Sequence, residues 1–267
     1  SSSGGAGGAG VPTNADNVFF DNNSGSNYTV TITTGTCADF TAIKPTGGDV
    51  TFAGGANFTT RGNFVVGAGV IWSATGNLIF AAGTTGKTIQ TNGVIFPGGF
   101  NFSTAGNGYQ LLDNLTSSSV TSLLQCKGSV ASAASLDLNG FAITVGTVNF
   151  SGAALTVIAF GSTGVINVTG NNGTVWSVGI ANGSTFTGTP VVNFTYNGST
   201  GTRTIQQGST IASATPEANA ITFNITAGTD IVSFTGSAKN FNTTGFSGSL
   251  ANITRTIYGN LVIDGAT

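Results

Sequence analysis

Few side chains in this sequence could carry out chemistry. The 267 residues include nine Asp and Glu, seven Lys and Arg, two Cys and no His. His is the commonest general base and a frequent metal ligand, so its absence excludes a Ser-His-Asp site within this chain. Carboxylates therefore remain as the candidate acid–base groups.

The most plausible carboxylate pair is Asp113 and Asp137. A glycoside hydrolase needs two carboxyl groups roughly 5 to 10 Å apart, which neighbouring coils of a stacked β structure could provide. The alternative interpretation is structural, since each Asp lies close to an Asn (Asn114 and Asn139) where a carboxylate can accept hydrogen bonds from turn amides. We favour the structural interpretation and expect no enzyme activity, with glycan hydrolysis as the alternative.

No pattern in the sequence indicates a metal or a cofactor. Cys37 and Cys126 do not have a metal-ligand spacing, and the acids form no D-x-D or D-x-N-x-D cluster for Ca²⁺. Gly5, Gly7 and Gly10 match G-x-G-x-x-G, but they lack the preceding strand and following helix of a nucleotide site. The two cysteines form either a disulfide or two buried thiols, and we favour buried thiols.

Charge and hydropathy exclude two kinds of partner. Charged residues make up 6% of the chain and the formal net charge is −2, so there is no basic patch for nucleic acid. No apolar run approaches the roughly 20 residues of a membrane-spanning helix. Apolar residues still reach 39%, which predicts a folded chain rather than a disordered one.

Short alternating runs dominate the sequence from residue 17 onward. Each run is rich in β-branched or aromatic residues and ends in Gly, Asn or Ser; examples are YTVTIT (28–33), NLIFAA (77–82) and GVINVTG (164–170). This pattern predicts an all-β chain. The close spacing favours a parallel β-helix, or β-solenoid, of about ten irregular coils with three strands each. Tandem small β-sandwiches are the alternative.

Asn supports the solenoid interpretation in two ways. Asn tolerates the left-handed backbone conformation that tight turns need. Stacked Asn amides can also hydrogen-bond from one coil to the next, as they do in cross-β ladders. The two Trp and four Tyr of the chain are expected to pack inside rather than to bind sugars.

A long internal repeat relates residues 38–69 to residues 238–267. In both segments an Arg precedes a Gly-Asn pair and three apolar residues. Recurrence at one repeat position predicts a structural role, such as bonding turn carbonyls or a neighbouring subunit. The repeated positions are Arg61, Gly62, Asn63, Arg255, Gly259 and Asn260. We therefore divide the chain into a Gly/Ser-rich lead or loop at 1–16, a β-solenoid long repeat at 17–236 and the start of a second copy at 237–267.

The N-terminal half also resembles a known group of proteins. Residues 4–21, GGAGGAGVPTNADNVFFD, run from a Gly-rich lead into V-P-T-x-x-D-x-V-x-F-D. Five further features follow in order: a Cys-containing strand (36–40), a Gly-Asn-apolar strand (62–66), T-G-K-T-I-x-T-x-G (85–93), Leu-Leu-Asp (111–113) and L-D-L-N-G (136–140). This order is similar to that of large repetitive β proteins of phage tail fibres or appendages and bacterial surfaces.

The resemblance implies a structural function. It suggests a segment of a virion appendage or tail fibre that forms a stiff extracellular rod and can contact the host surface. It also implies self-association, as a homotrimer, together with contacts to other virion proteins and a host surface glycan. The expected location is the virion, or the extracellular space and cell surface. The alternatives are a bacterial surface adhesin and a polysaccharide-degrading tailspike.

Overall fold

β-strands are the only regular secondary structure found in the described part of the protein, where turns connect them. The structure is a computed structural model, and it describes residues 12–25, 27–102, 108–128, 133–150, 156–178, 184–196, 198, 201–207, 221–226, 230–235, 243–247 and 261–264. Strands from successive coils pair in parallel in every sheet. The all-β prediction is therefore confirmed.

Twenty-eight short strands lie in the described residues. β-branched and aromatic residues dominate them, and Gly, Asn and Ser follow many of them, because these residues suit turns. The strands are β1 Val18–Phe20, β2 Tyr28–Thr31, β3 Gly35–Cys37, β4 Phe40–Ala42, β5 Val50–Ala53, β6 Phe58–Thr60, β7 Phe64–Val66, β8 Ile71–Trp72, β9 Leu78–Phe80, β10 Lys87–Gln90, β11 Ile95–Phe96, β12 Phe100–Phe102, β13 Gly108–Leu111, β14 Leu115–Ser117, β15 Leu123–Cys126, β16 Ala134–Asp137, β17 Ala142–Val145, β18 Thr147–Asn149, β19 Thr156–Ala159, β20 Val165–Val168, β21 Gly173–Val178, β22 Ser184–Thr187, β23 Val191–Phe194, β24 Thr202–Gln207, β25 Thr222–Thr226, β26 Ile231–Thr235, β27 Thr243–Ser247 and β28 Leu261–Asp264.

Three stacks of these strands form the sides of a parallel β-solenoid. The first sheet has eight strands, β1-β4-β7-β10-β13-β16-β19-β22, and the third sheet has nine, from β3 to β26. The middle sheet has two parts, β2-β5-β8 and β11-β14-β17-β20-β23-β25-β27-β28. The solenoid prediction is confirmed and the tandem-sandwich alternative is wrong. The eight strands of the first sheet indicate fewer coils than the ten expected.

Alternate residues of each strand point into the solenoid. In β5, for example, Val50 and Phe52 are buried while Thr51 and Ala53 are partly exposed. Successive coils place like residues above each other, so Phe40 pairs with Phe64 and Phe52 with Trp72. The rings of Phe40 and Phe64 stack with centroids 5.3 Å apart. Period-two alternation thus gives one continuous core along the axis.

The middle sheet is interrupted between β8 and β11. In the coils on either side, Ser73 donates its N–H to the Phe52 carbonyl at 2.8 Å, and Ser118 donates to the Phe96 carbonyl at 3.0 Å. The position between these two donors is Pro97, which has no N–H to donate. A shallow depression of about 380 Å³ lies at this interruption. Pro97 therefore removes one hydrogen bond from the ladder of the middle sheet between β8 and β11.

Left-handed backbone at non-Gly positions occurs only at Asn within the described residues. These positions are Asn27, Asn92 and Asn139, with φ of 54°, 48° and 50°. Asn92 and Asn139 each precede a Gly that also has positive φ, at 80° and 82°. Asn-Gly pairs thus make the tight corners after β10 and β16, as the Asn-rich turns of the sequence predict.

The solenoid continues across the expected boundary at residue 237. Strand β27 pairs with β25, and β28 pairs with β27, both in the middle sheet. The repeat comparison aligns β28 with β7, but β7 belongs to the first sheet. Matching sequence positions of the two copies therefore lie on different sides of the solenoid.

Candidate functional site

Asp113 binds the main chain of the preceding coil. Its carboxylate accepts a hydrogen bond from the Thr91 N–H at 2.8 Å and another from the Asn92 N–H. The Thr91 hydroxyl lies 3.0 Å from the same carboxylate. Asp113 thus holds the corner after β10, where the chain turns from the first sheet to the middle sheet. These amide donors occupy the oxygen atoms that a catalytic carboxylate would present to a substrate.

Asp137 has a similar structural role at the end of β16. One carboxylate oxygen accepts the Asn139 N–H at 2.8 Å, across the corner that follows. The other accepts the side-chain amide of Gln110, one coil below, also at 2.8 Å. Both candidate acids are therefore engaged by amide groups of the turns and neighbouring strands.

Asp113 is not among the described residues that line the depression beside Asp137. In the pairing of β13 with β16, Asp137 lies opposite Gln110. Asp113 comes three positions after Gln110 in the chain, so it is not opposite Asp137. Asp137 lines a small depression of about 230 Å³ together with Thr88, Gln110 and Ser135. Asp137 supplies the only carboxylate of that depression. The described lining of this depression therefore lacks the second acid that a two-carboxylate glycosidase mechanism needs.

A ladder of side-chain acceptors runs up the corner between the third and first sheets. The Asn17 amide oxygen accepts the N–H of Asp39 at 3.0 Å. The Asp39 carboxylate accepts the N–H of Asn63 at 2.7 Å, and the Asn63 amide oxygen accepts the N–H of Thr88 at 3.0 Å. The residue before each of the strands β1, β4 and β7 therefore accepts a main-chain N–H of the next coil.

The repeat positions Arg61 and Gly62 belong to the same corner. A Cβ atom at Gly62 would lie 2.0 Å from the Asp39 carboxylate, so glycine leaves room for the Asp39 side chain. Gly62 also donates its own N–H to the Ala38 carbonyl at 2.9 Å. The exposed Arg61 guanidinium lies 3.5 Å from the Ala81 carbonyl of the following coil. The matching positions Arg255, Gly259 and Asn260 lie outside the described residues.

The other corners use the same kind of contact. Asn57 accepts the Asn77 N–H and Asn77 accepts the Gly99 N–H, both at 2.9 Å, between the middle and third sheets. Asn114 accepts the Ala142 N–H at 2.9 Å between the first and middle sheets. At a corner the strand ladder ends and leaves main-chain donors, and a hydrogen bond to such a donor contributes about 0.5–1.5 kcal/mol. The corner side chains supply the missing acceptors.

Asn side chains also stack on the outer face of the middle sheet. Asn167, Asn193 and Asn224 occupy matching positions of β20, β23 and β25. Asn193 donates to the Asn167 amide oxygen and Asn224 donates to that of Asn193, both at 3.0 Å. The expected coil-to-coil amide ladder is therefore present on this face.

A buried ion pair is a structural contact that the sequence analysis did not predict. The Arg203 Nε lies 2.6 Å from an Asp230 carboxylate oxygen, and both side chains are almost fully buried. The Arg203 guanidinium also lies 5.4 Å from the ring centre of Tyr196. The two charges are 27 positions apart and belong to no sequence motif. Only the stacking of coils brings them together.

The cysteines are free and buried, as the favoured interpretation expects. Burial raises the pKa of the Cys37 thiol to about 11, and burial also raises the pKa of the Cys126 thiol. Both thiols are therefore neutral at physiological pH. Among the described residues, no three His, Cys, Asp or Glu side chains cluster closely enough to hold a metal ion.

No family model, curated protein or solved structure matches this chain. The likeness to phage and bacterial surface proteins therefore remains a prediction from sequence. Within the described part of the chain, no helix is long and apolar enough to cross a lipid bilayer.

Proposed function

We propose that the chain is a structural segment of a virion appendage or tail fibre, where it forms a stiff extracellular rod. The observation that carries this proposal is the third sheet, in which nine strands from successive coils pair without interruption. The uninterrupted third sheet, the first sheet from β1 to β22 and a shared core join successive coils, which suits a load-bearing element.

The side-chain chemistry supports a structural role in preference to hydrolysis. Asp39, Asp113 and Asp137 accept hydrogen bonds from amide groups at corners or strand ends. The proposal includes self-association of the rods, as a homotrimer, and contact with other virion proteins and a host surface glycan. A bacterial surface adhesin would use the same rod in another place.

Immunogold electron microscopy tests where the rod is used. Antibodies raised against the purified chain would be applied to virions and to bacterial cells from its source. We expect label along the appendages of the virions. Label confined to the bacterial surface would replace the fibre proposal with the adhesin, and absence of label from both would contradict both.

A glycan assay tests the tailspike alternative separately. The purified chain is incubated with host surface polysaccharide, and newly formed reducing ends are measured beside the variants Asp113→Asn and Asp137→Asn. We expect no release by any of the three proteins. Release by the wild type that either substitution abolishes would establish the tailspike in place of the passive rod.

A further inference from the structure

Charge is distributed unevenly around the solenoid. The outer faces of the middle sheet from β2 to β27 and of the third sheet carry no Asp, Glu, Lys or Arg, because the one charged residue of these strands, Arg203, is buried. Among the described residues, the corner between these two sheets exposes no charge either, because its one charged residue, Asp230, is buried; its segments include 54–57, 73–77, 97–99 and 118–122. We call the two faces and this corner the uncharged surface.

The exposed charges lie on the opposite side. Lys87 and Asp137 are in first-sheet strands. Among the described residues from 12 to 207, the corners that flank the first sheet hold the remaining exposed or partly exposed charges, including Arg61 and the ion pair between Lys44 and Asp49 at 2.7 Å. The rod therefore has one charged side and one uncharged side along the whole described length of the first sheet.

Three large apolar side chains project from the uncharged surface. Ile71 is 45% exposed, Ile95 is 53% exposed, and Val120 at the middle–third corner is 42% exposed. Ile71 and Ile95 also line the depression at the Pro97 interruption. Isolated exposed apolar residues are common, but here two of them lie on neighbouring coils beside an open ladder.

We propose that copies of this chain associate side by side through the uncharged surface, with Ile71 and Ile95 at the centre of the contact and the first sheet facing solvent. Burying this surface removes no exposed charge from water, and interface cores are depleted of charge in the same way. The proposal deepens the fibre function, on which it rests, by naming the surface through which the rods associate.

The size and spacing of the surface fit a second copy. Eight coils about 4.8 Å apart, with four residues of about 3.3 Å in each strand, give roughly 500 Å² for one sheet face. When one such face of each copy is covered, the contact buries roughly 1,000 Å² in total. That area is near the lower limit for a specific interface. Because two copies have the same rung spacing, side chains of one can meet side chains of the other at every coil.

Sedimentation velocity of the full chain tests this contact. We expect wild-type protein to associate, and the double variant Ile71→Lys/Ile95→Lys to raise the dissociation constant at least about tenfold. The matched control is Ile43→Lys/Leu112→Lys, which places the same charges at apolar residues exposed on the charged side. We expect the control to change the dissociation constant less than about twofold. Circular dichroism of each variant checks that the strands remain.

Thiol labelling gives a second measurement that does not depend on the Lys variants. The exposed Ser118 lies at the middle–third corner, and the exposed Ser162 lies at the first–middle corner. We expect Ser118→Cys to be protected from maleimide in the associated state and to react after dilution. Ser162→Cys should react with maleimide in both states, while the buried Cys37 and Cys126 remain unlabelled.

Three results would overturn the proposal. The first is a wild-type chain that stays monomeric at every concentration. The second is an equal weakening of association by the control variant, or equal labelling of both introduced cysteines in the associated state. The third is a monomeric chain that binds insoluble polysaccharide through Ile71 and Ile95, because the surface would then serve a glycan. None of these results alters the immunogold test, so the fibre function can survive them.

Discussion

Two parts of the rod have different interiors and the same corners. From β1 to β13 the core is a chain of aromatic contacts, in which Phe52 and Trp72 stack with ring centroids 5.0 Å apart. From Leu111 to Val148 the buried apolar residues are aliphatic apart from Cys126. Corner acceptors occur in both parts, as Asn77 and Asn114 show. The fold therefore accommodates either aromatic or aliphatic residues in its core, while the N–H groups of Gly99 and Ala142 each keep a side-chain acceptor.

The largest effect is expected in the aromatic part. Trp72→Ala removes a buried ring that contacts Phe40, Phe52 and Phe64, and we expect a loss of about 5 kcal/mol in the free energy of unfolding. Leu136→Ala in the aliphatic part should lose about 3 kcal/mol. Urea unfolding midpoints measure both values. A smaller loss for Trp72→Ala than for Leu136→Ala would contradict the contrast between the two interiors.

The buried ion pair should give the next largest effect. Asp230→Leu leaves the Arg203 charge buried without its carboxylate, and we expect a loss of about 3 kcal/mol in the free energy of unfolding. The double variant Arg203→Met/Asp230→Leu removes both charges and should lie within about 1 kcal/mol of wild type. The same urea midpoints test this pair. A double variant as unstable as the single one would show that the charges are not mutually compensating.

The corners should give equal effects in both parts of the rod. Asn77→Ala leaves the Gly99 N–H without its acceptor, and Asn114→Ala does the same to the Ala142 N–H. We expect each substitution to cost about 0.5–1.5 kcal/mol in the free energy of unfolding. Asn22→Ala is the control, since the exposed Asn22 side chain makes no hydrogen bond within the described residues. A corner cost that differs strongly between the two parts would break the comparison.

The smallest effect concerns pH. The folded pKa of Cys37 is about 11 and its ordinary value is 9.0, so folding favours the neutral thiol. This contribution to stability is complete below pH 9 and is lost as the pH rises toward 11. We expect the urea midpoint to fall over that range, less so in Cys37→Ala. A Cys37 thiol that reacts with maleimide at pH 8 in folded protein would contradict its burial.

Much of the fold could be predicted from sequence. Alternating runs such as VTFA at β5 and VINV at β20 give strands directly, because their apolar residues recur at every second position. Short strands with little outward charge favoured a solenoid over sandwiches. The sequence predicted about ten coils, and the first sheet holds eight strands.

The contacts between coils could not be predicted in the same way. Asp39 accepts from Asn63, 24 positions away, and Asn114 accepts from Ala142, 28 positions away. These spacings vary with the corner lengths, so no fixed sequence period reveals the partners. The bond of Asp137 to the Asn139 N–H is local, and local turn chemistry did predict it.

Hydrogen exchange at corner amides tests the central claim most directly. NMR-detected exchange of the full chain would compare the N–H groups of Asn63, Gly99 and Ala142 with those of the adjoining strands. We predict that all three are protected as strongly as the strand amides, and that Asn77→Ala removes protection from Gly99 while sparing Asn63 and Ala142. Rapid exchange of these corner amides in the wild-type protein would contradict the claim that corner side chains hydrogen-bond each coil to the next.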